Sequence, residues 1–282
     1  MSLTMHPGPS SVSDRKTGAS VRPAAVAGSF YPAAPAYLRA AVERYLADAA
    51  PPPTGRVRAV IAPHAGYVYS GPIAGHSFRA LPRLAGRTVF LLGPAHFAPV
   101  RGLAALSSAA MLTPLGAAPV ATGIVADLLA SADLVRGDDE AHAPEHCLEV
   151  ELPFLQVLGG ADLRVVPLLF GHVDPARPAD LLSGFLVQDR NALIVVSSDL
   201  SHYHPYETAR RLDTGFLEAV VSGDVAAAER GEACGLLPIL SLLLLAARFG
   251  WRARLLDYRN SGDTAGDRRR VVGYGAVAFV EE

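Results

Sequence analysis

The run Ala192-Leu193-Ile194-Val195-Val196-Ser197-Ser198-Asp199-Leu200-Ser201-His202-Tyr203-His204 decides the fold. Its first half is apolar without alternation, as a strand covered on both faces requires. Its second half turns polar and places a histidine just past the strand's carboxyl end. The pattern occurs twice more. Val57–Ile61 runs into Ala62-Pro63-His64-Ala65-Gly66-Tyr67, and Thr88–Leu92 runs into Gly93-Pro94-Ala95-His96-Phe97. Further strands are predicted at Leu103–Leu106, Arg164–Leu169, Arg254–Tyr258 and Val271–Val280. Helical patterns cover Ala36–Ala47, Pro72–Leu81, Ala121–Ser131, Glu145–Val157, Pro178–Val187, Pro205–Val221 and Leu236–Arg248. Strands alternating with helices predict an α/β fold: a layered domain with a central, mostly parallel or mixed sheet flanked by helices. No repeat or linker divides residues 21–282, which read as one domain. Residues 1–20, rich in Ser, Pro and Gly, read as a disordered tail.

Composition narrows the chemistry. The chain has 282 residues, half of them hydrophobic, 18% charged, with a net charge of -2. That length can bury a large core. The near-neutral balance offers no footprint for nucleic acid or an anionic membrane. The sole lysine, Lys16, lies in the tail, so the predicted domain holds no Schiff-base or P-loop lysine. Two cysteines, Cys147 and Cys234, make no disulfide framework. The longest apolar stretch, Leu236–Ala247, is shorter than the ~20 residues that span a bilayer. With no signal-peptide pattern, the expected compartment is the cytoplasm. Nine histidines remain as the acid/base and metal-binding stock.

In open α/β sheets, ligands bind in the crevice outside the carboxyl ends of the strands. If the three strands are parallel neighbours, His64, His96 and His202 converge there. A lone loop histidine is usually solvated or capping; three at equivalent strand ends point to a site. Neutral imidazole suits Fe, Cu, Zn and Ni, and two imidazoles with one anionic ligand make a common open metal site. Asp199 and Cys234 are the leading anions. Cys234 stands in Gly-Glu-Ala-Cys-Gly ahead of an apolar helix, where the helix N-terminus is expected to lower its pKa. A small buried hydrophobe accounts for it equally well. His142 to His146 spells H-x-x-E-H, a zinc-peptidase pattern. Pro144, however, fits best as the first helical residue and leaves His142 outside the helix. His146, Glu149 and Glu145 are then expected to line the crevice or support its ligands, and Cys147 to pack in the core. Tyr67 and Tyr69 are placed to stack on a ligand or to pack.

Several longer motifs carry a resemblance. They are Gly-Ser-Phe-Tyr-Pro (28–32), Ala-Pro-His-Ala-Gly-Tyr (62–67), Leu-Gly-Pro-Ala-His (92–96), Glu-His-Cys-Leu-Glu-Val-Glu-Leu-Pro-Phe (145–154), Ser-Ser-Asp-Leu-Ser-His (197–202), Ala-Cys-Gly (233–235) and Asn-Ser-Gly-Asp (260–263). From about Val21 onward the chain resembles the Memo family, in its bacterial branch grouped with AMMECR1-like and radical SAM proteins as AmmeMemoRadiSam system protein B. The resemblance implies the fold of class III extradiol ring-cleavage dioxygenases, which hold a mononuclear Fe(II) on two histidines and a glutamate. It implies His64 and His96 as imidazole ligands, Cys234 in place of the glutamate, His202 as acid/base and Asp199 beside it. A thiolate softens such a site toward Fe(II), Cu(I) or Zn and adds an oxidisable group. The expected function is a metal-binding protein with a dioxygenase-like site, an oxidoreductase if catalytic. The competing readings are a non-enzymatic module holding a peptide or partner protein in the same crevice, and a zinc-dependent hydrolase; the ligand of the crevice is expected to be a small molecule or a peptide. AMMECR1-like and radical SAM proteins are the partners the resemblance suggests.

Overall fold

The computed structural model describes residues 20–131 and 133–282. The tail expected over residues 1–20 lies, Ser20 aside, outside them. The strands in chain order are β1 (Val21–Arg22), β2 (Arg56–Ala62), β3 (Thr88–Pro94), β4 (Leu103–Ala105), β5 (Ala110–Thr113), β6 (Gly116–Pro119), β7 (Val135–Gly137), β8 (Arg164–Phe170), β9 (Leu193–Ser197), β10 (His202–His204), β11 (Arg252–Asn260) and β12 (Val271–Glu281). The helices are α1 (Pro35–Asp48), α2 (Tyr67–Ala80), α3 (Thr122–Ser131), α4 (Asp139–His142), α5 (Cys147–Gly159), α6 (Ala176–Gln188), α7 (Tyr206–Ser222), α8 (Val225–Ala228), α9 (Leu236–Phe249) and α10 (Ser261–Thr264).

The main sheet runs β10-β12-β2-β9-β3-β8-β4-β7, with β11 paired to β12. At its centre β2, β9, β3 and β8 are parallel neighbours. β12 pairs antiparallel with β2 and β11, and β4 antiparallel with β8, so the sheet is mixed, as expected. The central strands are buried almost throughout, which is why their sequences are apolar without alternation. One group of helices (α1, α2, α5) and another (α6, α9) supply the cover, and both groups reach the centre of the sheet. Phe78 of α2 and Phe154 of α5 stack with centroids 4.7 Å apart, which ties those helices together.

Register brings the strand ends level. Ala62 of β2 faces Ser197 of β9, and Leu92 of β3 faces Val196. The segments carrying His64, His96 and Asp199 therefore leave the sheet side by side. Gly93 lets the start of α5 come close. A β-carbon there would lie 2.7 Å from Cys147 Sγ and from a Leu148 methyl.

Each predicted strand and helix has a counterpart, with shifted ends. α2 starts at Tyr67, not Pro72; the proline sits inside the helix. Its missing N–H removes one bond of the early helix; at the helix start, Ser70 Oγ donates to the Ala65 carbonyl at 2.8 Å. α5 starts two residues late because His146 serves as its N-cap residue. The short strands β1, β5, β6, β7 and β10 were not predicted. Two to four residues carry no readable period. Among the described residues, no helix is long and apolar enough to cross a membrane.

Candidate metal centre

His64, His96, His146, Asp199 and His202 line one crevice of about 780 Å³ at the carboxyl ends of β2, β9 and β3. The rings of His64, His96 and His146 stand 5.0–5.4 Å apart. His64 is buried at 2% exposure. Its Nδ1 lies 2.8 Å from Ser197 Oγ, and its Nε2 lies 3.3 Å from Cys234 Sγ. Burial first, then the neighbouring His146 and His96, hold its pKa well below the ordinary imidazole value. Those surroundings favour the neutral ring, the form that binds a metal.

His96 is oriented from behind by Glu145. The carboxylate lies 3.0 Å from His96 Nδ1 and accepts the His96 amide at 2.7 Å. It also accepts the amides of His146 at 3.0 Å and Cys147 at 3.1 Å, at the start of α5. Burial pushes the Glu145 pKa up, but hydrogen bonds from His146 and His96 outweigh it and hold the group far below the usual carboxylate range. A carboxylate behind a histidine fixes its tautomer and frees the other nitrogen for a metal.

One donor atom each from His64, His96 and Cys234 lies within 4.8 Å of the others. Metal–nitrogen bonds of about 2.05 Å and metal–sulfur bonds of about 2.3 Å put N and S about 3.1–3.6 Å apart at angles of 90–109°. The 3.3 Å between His64 Nε2 and Cys234 Sγ falls in that range. The donor set therefore fits a mononuclear ion. Cys234 is held by the Asp199 amide, which donates to Sγ at 3.1 Å. Gly235 makes this approach possible, since a β-carbon there would lie 2.6 Å from Ser198 Cβ.

The thiol corrects one expectation. Cys234 does precede a helix, but burial and then the Asp199 carboxylate push its pKa up to about 12. Without a cation beside it, it is a thiol. Asp199 is itself pushed up to about 6, mainly by burial and against the His64 amide that it accepts at 2.8 Å. His202, on β10, is half-buried and faces the same crevice.

Two residues expected in the crevice lie elsewhere. Glu149 is fully buried on the far side of the α5 start. It pairs with Arg22 at 2.6 Å and accepts the amides of Ala25 and Val26 and the hydroxyl of Tyr31. It anchors the N-terminal segment. Tyr67 is 2% exposed and donates to the Val150 carbonyl at 2.8 Å. Residues two apart on a helix point about 200° apart, so Tyr69, not Tyr67, reaches the crevice. His142 is also turned away. Its Nε2 donates to the Ala104 carbonyl at 3.0 Å, so the H-x-x-E-H pair does not share a site. Cys147 is fully buried, as read from the sequence.

Phe30, Tyr203, Arg270 and Tyr274 also line the crevice. Phe30 stands 4.8 Å from the His146 ring. Tyr203 holds φ 62, the sole positive φ among described non-glycine residues, and Arg270 lies 5.0 Å over its ring. Strained backbone of this kind clusters at functional sites. Its sequence signal was the histidine-flanked position His202-Tyr203-His204. Arg270 gave none, standing in a surface run of arginines.

Comparison with known proteins bears on the family and the fold. A family profile described as Memo-like protein matches residues 22–278. A MEMO1 family protein of Sulfolobus acidocaldarius is 35% identical, covering 92% of this chain and 99% of the relative. Another, from Aeropyrum pernix, is 38% identical over 91% of this chain and 99% of its own. A crystal structure of uncharacterized protein JW3007 from Escherichia coli K12 shares the fold, with TM-score 0.50 and 15% identity over 80% of this chain and 100% of that one. Identity at this level, sustained along almost the entire sequence, means that the chain belongs to the Memo family.

Proposed function

We propose that the protein is a metal-binding protein whose mononuclear centre is held by His64, His96 and the Cys234 thiolate. The observation that carries this reading is the convergence of those three donors within 4.8 Å, with Glu145 and Ser197 bonded behind the two rings. Thiolate with imidazole favours Fe(II), Cu or Zn over hard cations. When bound, such an ion supplies Lewis-acid or redox chemistry to a small molecule in the crevice. The chain's own groups do the rest. Phe30 and Tyr69 give flat surfaces for a ligand to rest on, and Asp199 and His202 are the acid/base groups facing it. On this reading the protein is a metal-dependent oxidoreductase, with AMMECR1-like and radical SAM proteins as the associates the family resemblance suggests.

A second reading is a non-enzymatic module that holds a peptide in the same crevice. The exposed aromatics Tyr69, Phe97 and Tyr203 around the histidines favour it. Elemental analysis of untagged protein tests the first reading. Stoichiometric Fe, Cu or Zn is expected, with His64→Ala and His96→Ala losing it. A wild type that stays metal-free and refuses reloading sinks the metal centre. Oxygen consumption with a panel of catechols by the iron-loaded protein separates the two readings, and silence favours the binding module.

A further inference from the structure

Behind His64 lies a buried acid that the proposed function does not use. Glu151 sits on α5 at 0% exposure, as does Ser197 at the end of β9. Three groups crowd the Ser197 hydroxyl. His64 Nδ1 lies at 2.8 Å, the Cys147 carbonyl at 2.8 Å and Glu151 Oε1 at 2.7 Å. A hydroxyl has one proton to give and two lone pairs to accept with. The Cys147 carbonyl can only accept, so the serine proton goes to it. The two remaining neighbours must then both donate. That places a proton on His64 Nδ1 and another on Glu151 Oε1. An ionised Glu151 would compete for the serine proton and leave two oxygen lone pairs facing each other at hydrogen-bond distance.

The surroundings of Glu151 agree. Its second oxygen has no hydrogen-bond partner, and no cationic side chain pairs with it among the described residues. Burial pushes its pKa well above the carboxylate range; the Ser197 hydroxyl beside it opposes that shift and the Asp199 charge adds to it. Packing alone does not call for an acid here. A leucine or methionine would fill the space without the desolvation penalty of a carboxyl group.

We propose that Glu151 is a positioning residue: it donates to Ser197 and so fixes the Nδ1–H tautomer of His64, leaving Nε2 bare toward Cys234. Its purpose rests on the metal-centre reading, but the tautomer is a property of the metal-free chain. Glutamine keeps a donor at this position; methionine keeps the volume and removes the donor.

Long-range proton–nitrogen NMR on the metal-free full chain reads the tautomer. Wild type and Glu151→Gln are expected to show His64 protonated at Nδ1, and Glu151→Met and Ser197→Ala to show mixed tautomers. Infrared difference spectra at neutral pH should contain a protonated-carboxyl band that Glu151→Gln abolishes. Chelator competition with Zn(II) should show Glu151→Met weakened about 10–100-fold, the usual effect of losing a group behind a metal ligand, with Glu151→Gln near wild type. A wild-type His64 protonated at Nε2, or an ionised Glu151 at neutral pH, overturns the proposal. So does a Glu151→Met protein that keeps the Nδ1–H tautomer. If Glu151→Met does not fold, Ser197→Ala and the wild-type spectra decide alone. If wild type binds no Zn(II), the metal reading fails, while the tautomer and infrared results still decide this one.

Discussion

Arg22 and Glu149 are both buried and lie 2.6 Å apart. The guanidinium also donates to the His142 carbonyl at 2.7 Å and to that of Glu145. One ion pair thus ties the N-terminal segment to the residues that precede α5. Removing one partner leaves the other charge buried without compensation, which costs about 3–5 kcal/mol. Glu149→Gln should therefore lose stability on that scale in urea unfolding, and the segment around residues 22–31 should become sensitive to protease. A change under about 1 kcal/mol would show that the pair is dispensable. The sequence suggested Glu149 for the crevice because it stands with His146 and Glu145 at a helix start. Which of two nearby glutamates turns inward depended on where α5 begins, and Glu145, ahead of the helix, won by collecting the amides there.

The short helix α4 is held by His142, whose Nε2 donates to Ala104 of β4. Burial lowers the pKa of this ring to about 4 from the model-compound 6.5, with the Ala104 hydrogen bond opposing the shift. The unfolded chain accepts a proton that the folded ring refuses. Stability from the neutral ring is therefore full above pH 6.5 and is lost as pH falls toward 4, by about 3 kcal/mol across that window. His142→Gln keeps a donor and removes the titration. Its stability should fall less steeply than wild type between pH 6.5 and 4; equal slopes would contradict this. Legibility also divides by element. Long apolar strands such as β3 and β9 declare themselves because burial on both faces leaves only apolar residues. The small sheet of β1, β5 and β6 did not: β1 reaches β5 across some ninety residues, and the β5–β6 hairpin has strands of only four residues each, with no room for a pattern. Pro72 misled for a different reason. Proline is favoured at a helix start, but α2 carries it internally.

Across the whole molecule, the crevice exists because β9 sits between β2 and β3 in register. Three segments far apart in sequence therefore leave the sheet together. The sequence showed that each strand ends in a histidine segment. That β9 is the middle strand is a matter of topology, and nothing local to those segments encodes it. The proton on His64, the thiol state of Cys234 and the residues around the rim follow from that assembly, so they became readable with the fold and not before. Cobalt(II) titration of the metal-free chain tests the centre most directly. One ion per chain is expected, with an intense near-ultraviolet sulfur-to-metal band that Cys234→Ser abolishes and His64→Ala strongly weakens. A cobalt complex whose spectrum is unchanged in Cys234→Ser, or a wild type that takes up no cobalt, would contradict a metal held by His64, His96 and Cys234.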